Sequence, residues 1–72
     1  MDTKALIVFN VRQIDRLQVE LTELWSKIQK SVADGLVDDA ISFLNRYFSL
    51  RSELERVEAN LIGALKGQFS DK

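Results

Sequence analysis

A single glycine divides this chain at its midpoint. The 72 residues contain no proline, and the other two glycines, Gly63 and Gly67, lie near the end of the chain. Glycine and proline are the residues that most strongly interrupt helices. The stretches before and after Gly35 can therefore each form one long helix.

The residues around Gly35 carry the signals of a helix end followed by a helix start. Gly35 can adopt the left-handed conformation that ends a helix, and Leu36 can then fold back onto the last turn. Asp38 and Asp39 follow, and negative charge is favourable in the first turn of a helix. The sequence predicts a helix over residues 4–33, a turn over 34–36 and a helix over 37–67, in a single domain of residues 1–72.

The first predicted helix carries an apolar stripe whose members are three or four residues apart, which places them on one side of a helix. Its members are Ile7, Val11, Ile14, Leu17, Leu21, Leu24, Trp25, Ile28 and Val32. Residues 6–9 are rich in β-branched and aromatic side chains, so this segment could also form a strand. Because a lone strand would leave its backbone groups unpaired, we expect a helix there.

The second predicted helix carries a heptad seam in which steps of four and three residues alternate, as in coiled coils. Its members are Leu36, Ala40, Phe43, Tyr47, Leu50, Leu54, Val57, Leu61 and Ala64. A tight turn makes the helices antiparallel, so the numbers of paired residues should add to about 70. Leu21 then lies beside Leu50, and apolar residues meet along the whole length. We expect an all-α, coiled-coil-like antiparallel two-helix hairpin that completes a helical bundle by association.

The second helix has a further apolar row that the seam does not use. It consists of Val37, Ile41, Leu44 and Phe48, then the charged residues Arg51, Glu55 and Glu58, then Ile62, Leu65 and Phe69. A two-helix hairpin covers one stripe per helix, and monomers rarely expose apolar patches of several hundred Å². The expected partner-binding residues are Trp25, Val37, Ile41, Leu44, Tyr47, Phe48, Ile62 and Leu65.

The alternative interpretation of this row is a core stripe, since most apolar stripes at helical spacing are core. The apolar N-terminal segment could fold over part of it. We expect instead that a second protein chain covers the row, either another copy of this chain or a different protein. The chain should then be a dimer or a higher oligomer.

The composition argues against catalysis. The chain has no histidine and no cysteine, so it lacks the usual general base, a thiol nucleophile and the soft metal ligands. Its carboxylates, such as Asp38 with Asp39 or Glu55 with Glu58, are typical of helix charging and of solvated helix faces. We expect no enzyme activity, no catalytic residues, no cofactor and no metal.

The charge balance argues against nucleic acid and membrane partners. Ten basic and eleven acidic residues give a net charge of −1. Arg12 and Arg16 could form a small basic patch with Arg51 and Arg56, but acidic neighbours interrupt it, whereas a nucleic-acid footprint clusters one sign of charge. The N-terminal apolar run is too short for a signal peptide, and no window approaches the roughly 20 apolar residues of a membrane helix. We therefore expect a cytoplasmic protein.

Several segments resemble one family of helical hairpins, namely Val32–Gly35, Asp38–Ala40, Phe43–Leu44 and Val57–Leu65. They are similar to the small co-chaperones of bacterial type III secretion, which pair with a second chaperone to hold the needle subunit unpolymerised. The layout also resembles plasmid copy-control RNA-binding hairpins, but it lacks their basic face. The resemblance implies a non-catalytic protein-binding hairpin that shields an apolar partner. The alternative is a homodimeric four-helix bundle with a structural or regulatory role.

Overall fold

Two long helices make up the part of the chain that the structure describes. The computed structural model describes residues 2–70, with side chains up to residue 67. Helix α1 spans Thr3–Ala33 and helix α2 spans Val37–Ser70, and they pack against each other in a rod of 57 × 16 × 14 Å. The predicted all-α antiparallel hairpin is confirmed. Residues 6–9 are helical, and α2 continues three residues beyond its expected end at residue 67.

Local hydrogen bonds determine where each helix begins and ends. The Asp2 carboxylate accepts a hydrogen bond from the Lys4 N–H at 3.3 Å, which caps α1. At the turn, Leu36 N–H donates to the Ser31 carbonyl at 2.8 Å and Gly35 N–H donates to that of Val32 at 3.1 Å. These two bonds form a Schellman motif, and Gly35 has the left-handed φ of 74° that the motif requires.

Leu36, which was expected to fold back onto the last turn of α1, is only half covered. Its side chain is 49% exposed. The positions that usually receive such a contact are Ser31 and Lys30, neither of which is apolar. Asp38 and Asp39 do occupy the first turn of α2, as predicted.

Replacing Gly35 with alanine should lower the free energy of unfolding by about 1–2 kcal/mol. The left-handed conformation costs an L-residue about this much, and an added Cβ would meet no atom within 4 Å, so the strain is that of the backbone alone. Gly63→Ala is the matched control. It lies inside α2 with equally open surroundings, and alanine should raise the free energy of unfolding by up to ~1 kcal/mol. Urea denaturation followed by circular dichroism measures both, and a loss of stability in both variants would contradict this assignment.

The buried side of α1 is a heptad seam rather than the expected stripe. Its members alternate in steps of three and four residues and are Ile7, Asn10, Ile14, Leu17, Leu21, Leu24, Ile28 and Ser31, all buried or half-buried. Val11, Trp25 and Val32, which the expected stripe included, are exposed. The expected stripe was therefore wrong at these three positions, and two polar residues, Asn10 and Ser31, take the inner positions instead.

Contacts across the hairpin establish its register. The rings of Trp25 and Tyr47 lie 5.7 Å apart, and the Lys27 ammonium lies 5.9 Å from the centre of the Phe43 ring. The numbers in these pairs add to 72 and 70, which agrees with the predicted sum of about 70.

The core between the helices is thin. In the described part of the chain, the buried apolar residues are Leu17, Leu21, Leu24, Ile28 and Ala40, and no side chain there is less than 2% exposed. Thirteen large apolar residues of the same part are exposed. Small scaffolds with so little core usually gain stability from disulfides, a metal or association. The chain has no cysteine, so disulfides supply none of this stability.

Candidate functional site: the apolar flank

The two seams divide the surface of the hairpin into two flanks. On one flank, Trp25 packs against Tyr47, and the Tyr47 ring lies 6.1 Å from that of Phe48 in an edge-on arrangement. On the other, Glu20, Glu23, Lys27 and Arg46 line a shallow depression. We call the first the apolar flank and the second the polar flank. A partner that buries apolar surface would bind the apolar flank.

The turn end of the apolar flank carries the densest apolar surface. Its exposed members are Trp25, Val32, Val37, Ile41 and Phe48, with Phe48 54% exposed, and Leu44 is half-buried among them. Each of these residues follows a seam residue by one position, so helical spacing places all of them on the same flank. We call this group the turn-end patch. It brings together five of the expected partner-binding residues, namely Trp25, Val37, Ile41, Leu44 and Phe48.

Tyr47 has a different role from its neighbours in this cluster. It is a seam residue and half-buried, whereas Trp25 and Phe48 on either side of it are about half exposed. The tilted contact with Trp25 and the edge-on contact with Phe48 are geometries that aromatic pairs favour. Tyr47 therefore holds two exposed rings in place from beneath and presents less of its own surface to a partner.

A second apolar area lies at the open end of the same flank. Ile62 and Leu65 on α2 are exposed there. The register places Val8 and Val11 of α1 beside them, and both are exposed as well. We call these four residues the open-end patch. The side chain of Phe69, which belongs to the same row in the sequence, lies outside the described residues.

Val8 and Val11 belong to this candidate site, although the sequence did not predict them there. Val11 was placed in the core because it is apolar and Asn10 is polar. The signal that could have found it is the uninterrupted alternation of three and four from Ile7 through Asn10 to Ser31, which leaves Val11 outside the seam.

Charged and polar residues separate the two patches. Asp15 and Gln18 of α1 and Arg51, Glu55 and Glu58 of α2 lie between them on the apolar flank, and all five are exposed. The apolar flank thus has an apolar end, a polar centre and a second apolar end. Any partner must match this order.

Other kinds of site have less support in the described residues. Arg12 and Arg16 line one open groove with Phe9 and Gln13, but helical spacing places Arg51 on the opposite flank. Arg56 lies 3.7 Å from Glu53. No group of acidic side chains in the described part of the chain could hold a metal ion. Within the same residues, neither helix is long and apolar enough to cross a membrane.

Comparisons with protein-family models, with curated proteins and with solved structures find no match for this chain.

Proposed function

We propose that this protein is a non-catalytic binding module that docks onto another helical protein through its apolar flank. The observation that carries the proposal is the turn-end patch, where Trp25, Ile41 and Phe48 are each about half exposed on one side of a thin hairpin. Scattered exposed apolar residues are ordinary on a protein surface, whereas a contiguous apolar area of this kind is typical of interaction sites.

The magnitudes favour binding. Completing the burial of large apolar side chains contributes up to about 1.5–3 kcal/mol each. Trp25 and Phe48 with the aliphatic residues around them can together offset an association cost of about 4–15 kcal/mol. Aromatic side chains near the centre of an apolar patch are also the residues that most often dominate binding energy.

The resemblance to type III secretion co-chaperones supports one specific form of this function. In that form the hairpin would pair in the bacterial cytoplasm with a second chaperone, and the complex would keep an apolar subunit from assembling early. The absence of histidine and cysteine supports a role without catalysis, cofactor or metal. The balanced charge supports a protein partner over nucleic acid or a membrane. A homodimeric four-helix bundle would use the same flank.

Replacing Phe48 with aspartate should weaken association at least about 100-fold, which corresponds to ~2.7 kcal/mol. The substitution removes an exposed ring and would place a charge in the interface, while the isolated hairpin should keep its helix content. Val19→Asp is the matched control, because Val19 is equally exposed, at 59%, but lies on the outer side of α1. Light scattering of the purified chain at micromolar concentration measures self-association, and co-purification from the host cell measures binding to other proteins.

Two results would count against the proposed function. If wild-type chain is a monomer that binds neither itself nor another protein, and binds no hydrophobic dye, the apolar flank is not a binding surface. If Phe48→Asp unfolds the hairpin, Phe48 is core and the flank is wrongly assigned.

A further inference from the structure

We propose that the partner of the apolar flank is a second copy of this chain, packed antiparallel around a two-fold axis that crosses both helices near their midpoints. The inference rests on the proposed function, which assigns the flank to protein binding, and it identifies the protein that is bound. In this dimer the turn-end patch of each copy covers the open-end patch of the other. The product is a four-helix bundle.

The row of α2 on the apolar flank has the spacing of a second coiled-coil seam, with apolar residues at its two ends and charged residues at its centre. From Val37 to Leu65 its steps alternate four and three residues, as they do in the seam that packs on α1. Antiparallel helices pair such positions in reverse order. If a second copy of α2 lies antiparallel to the first and the two-fold axis passes at residue 53, the numbers of paired residues add to 106.

This reversal matches chemically similar or complementary residues. Ile41 falls opposite Leu65 of the partner subunit, and Leu44 falls opposite the partner's Ile62. Arg51 falls opposite the partner's Glu55, which places opposite charges together twice by symmetry.

The corresponding row of α1 can also pair with its own copy in reverse order, about a point that lies beside residue 53 of α2. There Val8 falls opposite the partner's Trp25 and Asp15 opposite the partner's Gln18, which pairs apolar with apolar and polar with polar, whereas Val11 falls opposite the hydroxyl-bearing Thr22 of the partner subunit. These pairs centre between residues 16 and 17. The hairpin register places that point level with residue 53 of α2, so one axis relates both rows. The pairings of the α1 row and of the α2 row therefore fit the same two-fold axis.

One pair in the α2 row is unfavourable. Phe48 falls opposite the partner's Glu58, whose carboxylate must turn outward to reach water while its methylene groups lie along the ring. Replacing Glu58 with leucine should therefore lower the Kd of the dimer about tenfold, since leucine completes the apolar contact around Phe48.

The charged centre argues against other two-fold arrangements. In one alternative the two-fold axis runs parallel to the rods, so that the two turns lie side by side and α2 of each copy packs on α1 of the other. Glu55 would then lie opposite the partner's Asp15, and this repulsive pair would occur twice. Parallel pairing of α2 with its copy would oppose Arg51 to Arg51. Of these three arrangements, reversal about residue 53 is the one that places Arg51 opposite a carboxylate. A face 57 Å long on a rod about 14–16 Å wide is large enough for the ~800 Å² that each partner contributes to a standard interface.

A charge-reversal cycle tests the arrangement. Wild-type chain should have twice its mass of 8.2 kDa in sedimentation experiments at low salt. Arg51→Glu and Glu55→Arg should each raise the dimer Kd about tenfold, and the double variant should return it to within about threefold of wild type. Arg56→Glu, the same change on the polar flank, is the matched control and should leave the Kd unchanged. Because the chain has no cysteine, Leu44→Cys/Ile62→Cys should also give disulfide-linked dimers on oxidation.

The outcomes separate this inference from the proposed function. A wild-type monomer that binds a different host protein, lost on Phe48→Asp, would overturn the second copy as partner and leave the binding function in place. Single variants that weaken a dimer without rescue in the double variant, or a Glu55→Arg variant that strengthens it, would overturn the antiparallel arrangement. A monomer without any protein partner would overturn both.

Discussion

Replacing Leu24 with alanine should lower the free energy of unfolding by about 2–4 kcal/mol and lower the Tm by roughly 10–20 °C. Leu24 is 6% exposed at the middle of the α1 seam, and truncating a buried leucine removes apolar burial and leaves a cavity. A domain of this length has only about 4–11 kcal/mol of total stability. Thermal and urea denaturation followed by circular dichroism at one protein concentration give both quantities.

The matched control for Leu24 is Val19→Ala on the outer side of the same helix. Val19 is exposed, so its truncation should change the free energy of unfolding by less than about 0.5 kcal/mol. Protein concentration must be held constant, because association would add to the apparent stability. Equal effects at the two positions would show that α1 is rotated differently from the structure described here.

Replacing Asn10 with leucine should raise the free energy of unfolding by about 1–3 kcal/mol. Asn10 is 5% exposed in the α1 seam, and within the described residues its Nδ2 has no hydrogen-bond partner. An unpaired buried amide costs about 1–3 kcal/mol, and leucine has a similar branched shape without the polar atoms. A polar residue at such a position lowers stability but disfavours other registers and oligomers.

Asn45→Leu is the control for this change, because Asn45 is exposed on the outer side of α2 and its replacement should leave the stability nearly unchanged. Urea denaturation measures both variants. A loss of more than ~1 kcal/mol in Asn10→Leu would show that the amide finds a partner in solution. Sedimentation of the stabilised variant would also reveal oligomers that Asn10 normally disfavours.

Much of the fold could be predicted because the strongest signals are local. Gly35 is the one breaker between two long segments, and its left-handed conformation follows from the Schellman motif that glycine favours. The α2 seam contains only apolar residues, so its inner face was evident from spacing alone. The register followed from the position of the turn, because a tight turn between rigid helices leaves little freedom for them to slide.

The candidate site was only partly predictable. The turn-end patch was evident because α2 has more apolar positions than one neighbouring helix can cover. The α1 part of the open-end patch was not predicted, because an apolar residue there lies on the surface and a polar residue lies in the seam. Val11 and Val32 lie outside the seam between α1 and α2, whereas Asn10 and Ser31 lie within it.

The sequence by itself determined that two helices form, where they meet, and that apolar surface is left over, since these depend on backbone conformation and on residue spacing. The tertiary structure decided how α1 is rotated about its own axis. Adjacent rows of α1 are both partly apolar, so spacing alone could not choose between them. Packing against the continuous seam of α2 made that choice. It turned Val11, Trp25 and Val32 outward and thereby decided which side of the hairpin carries the larger exposed apolar surface.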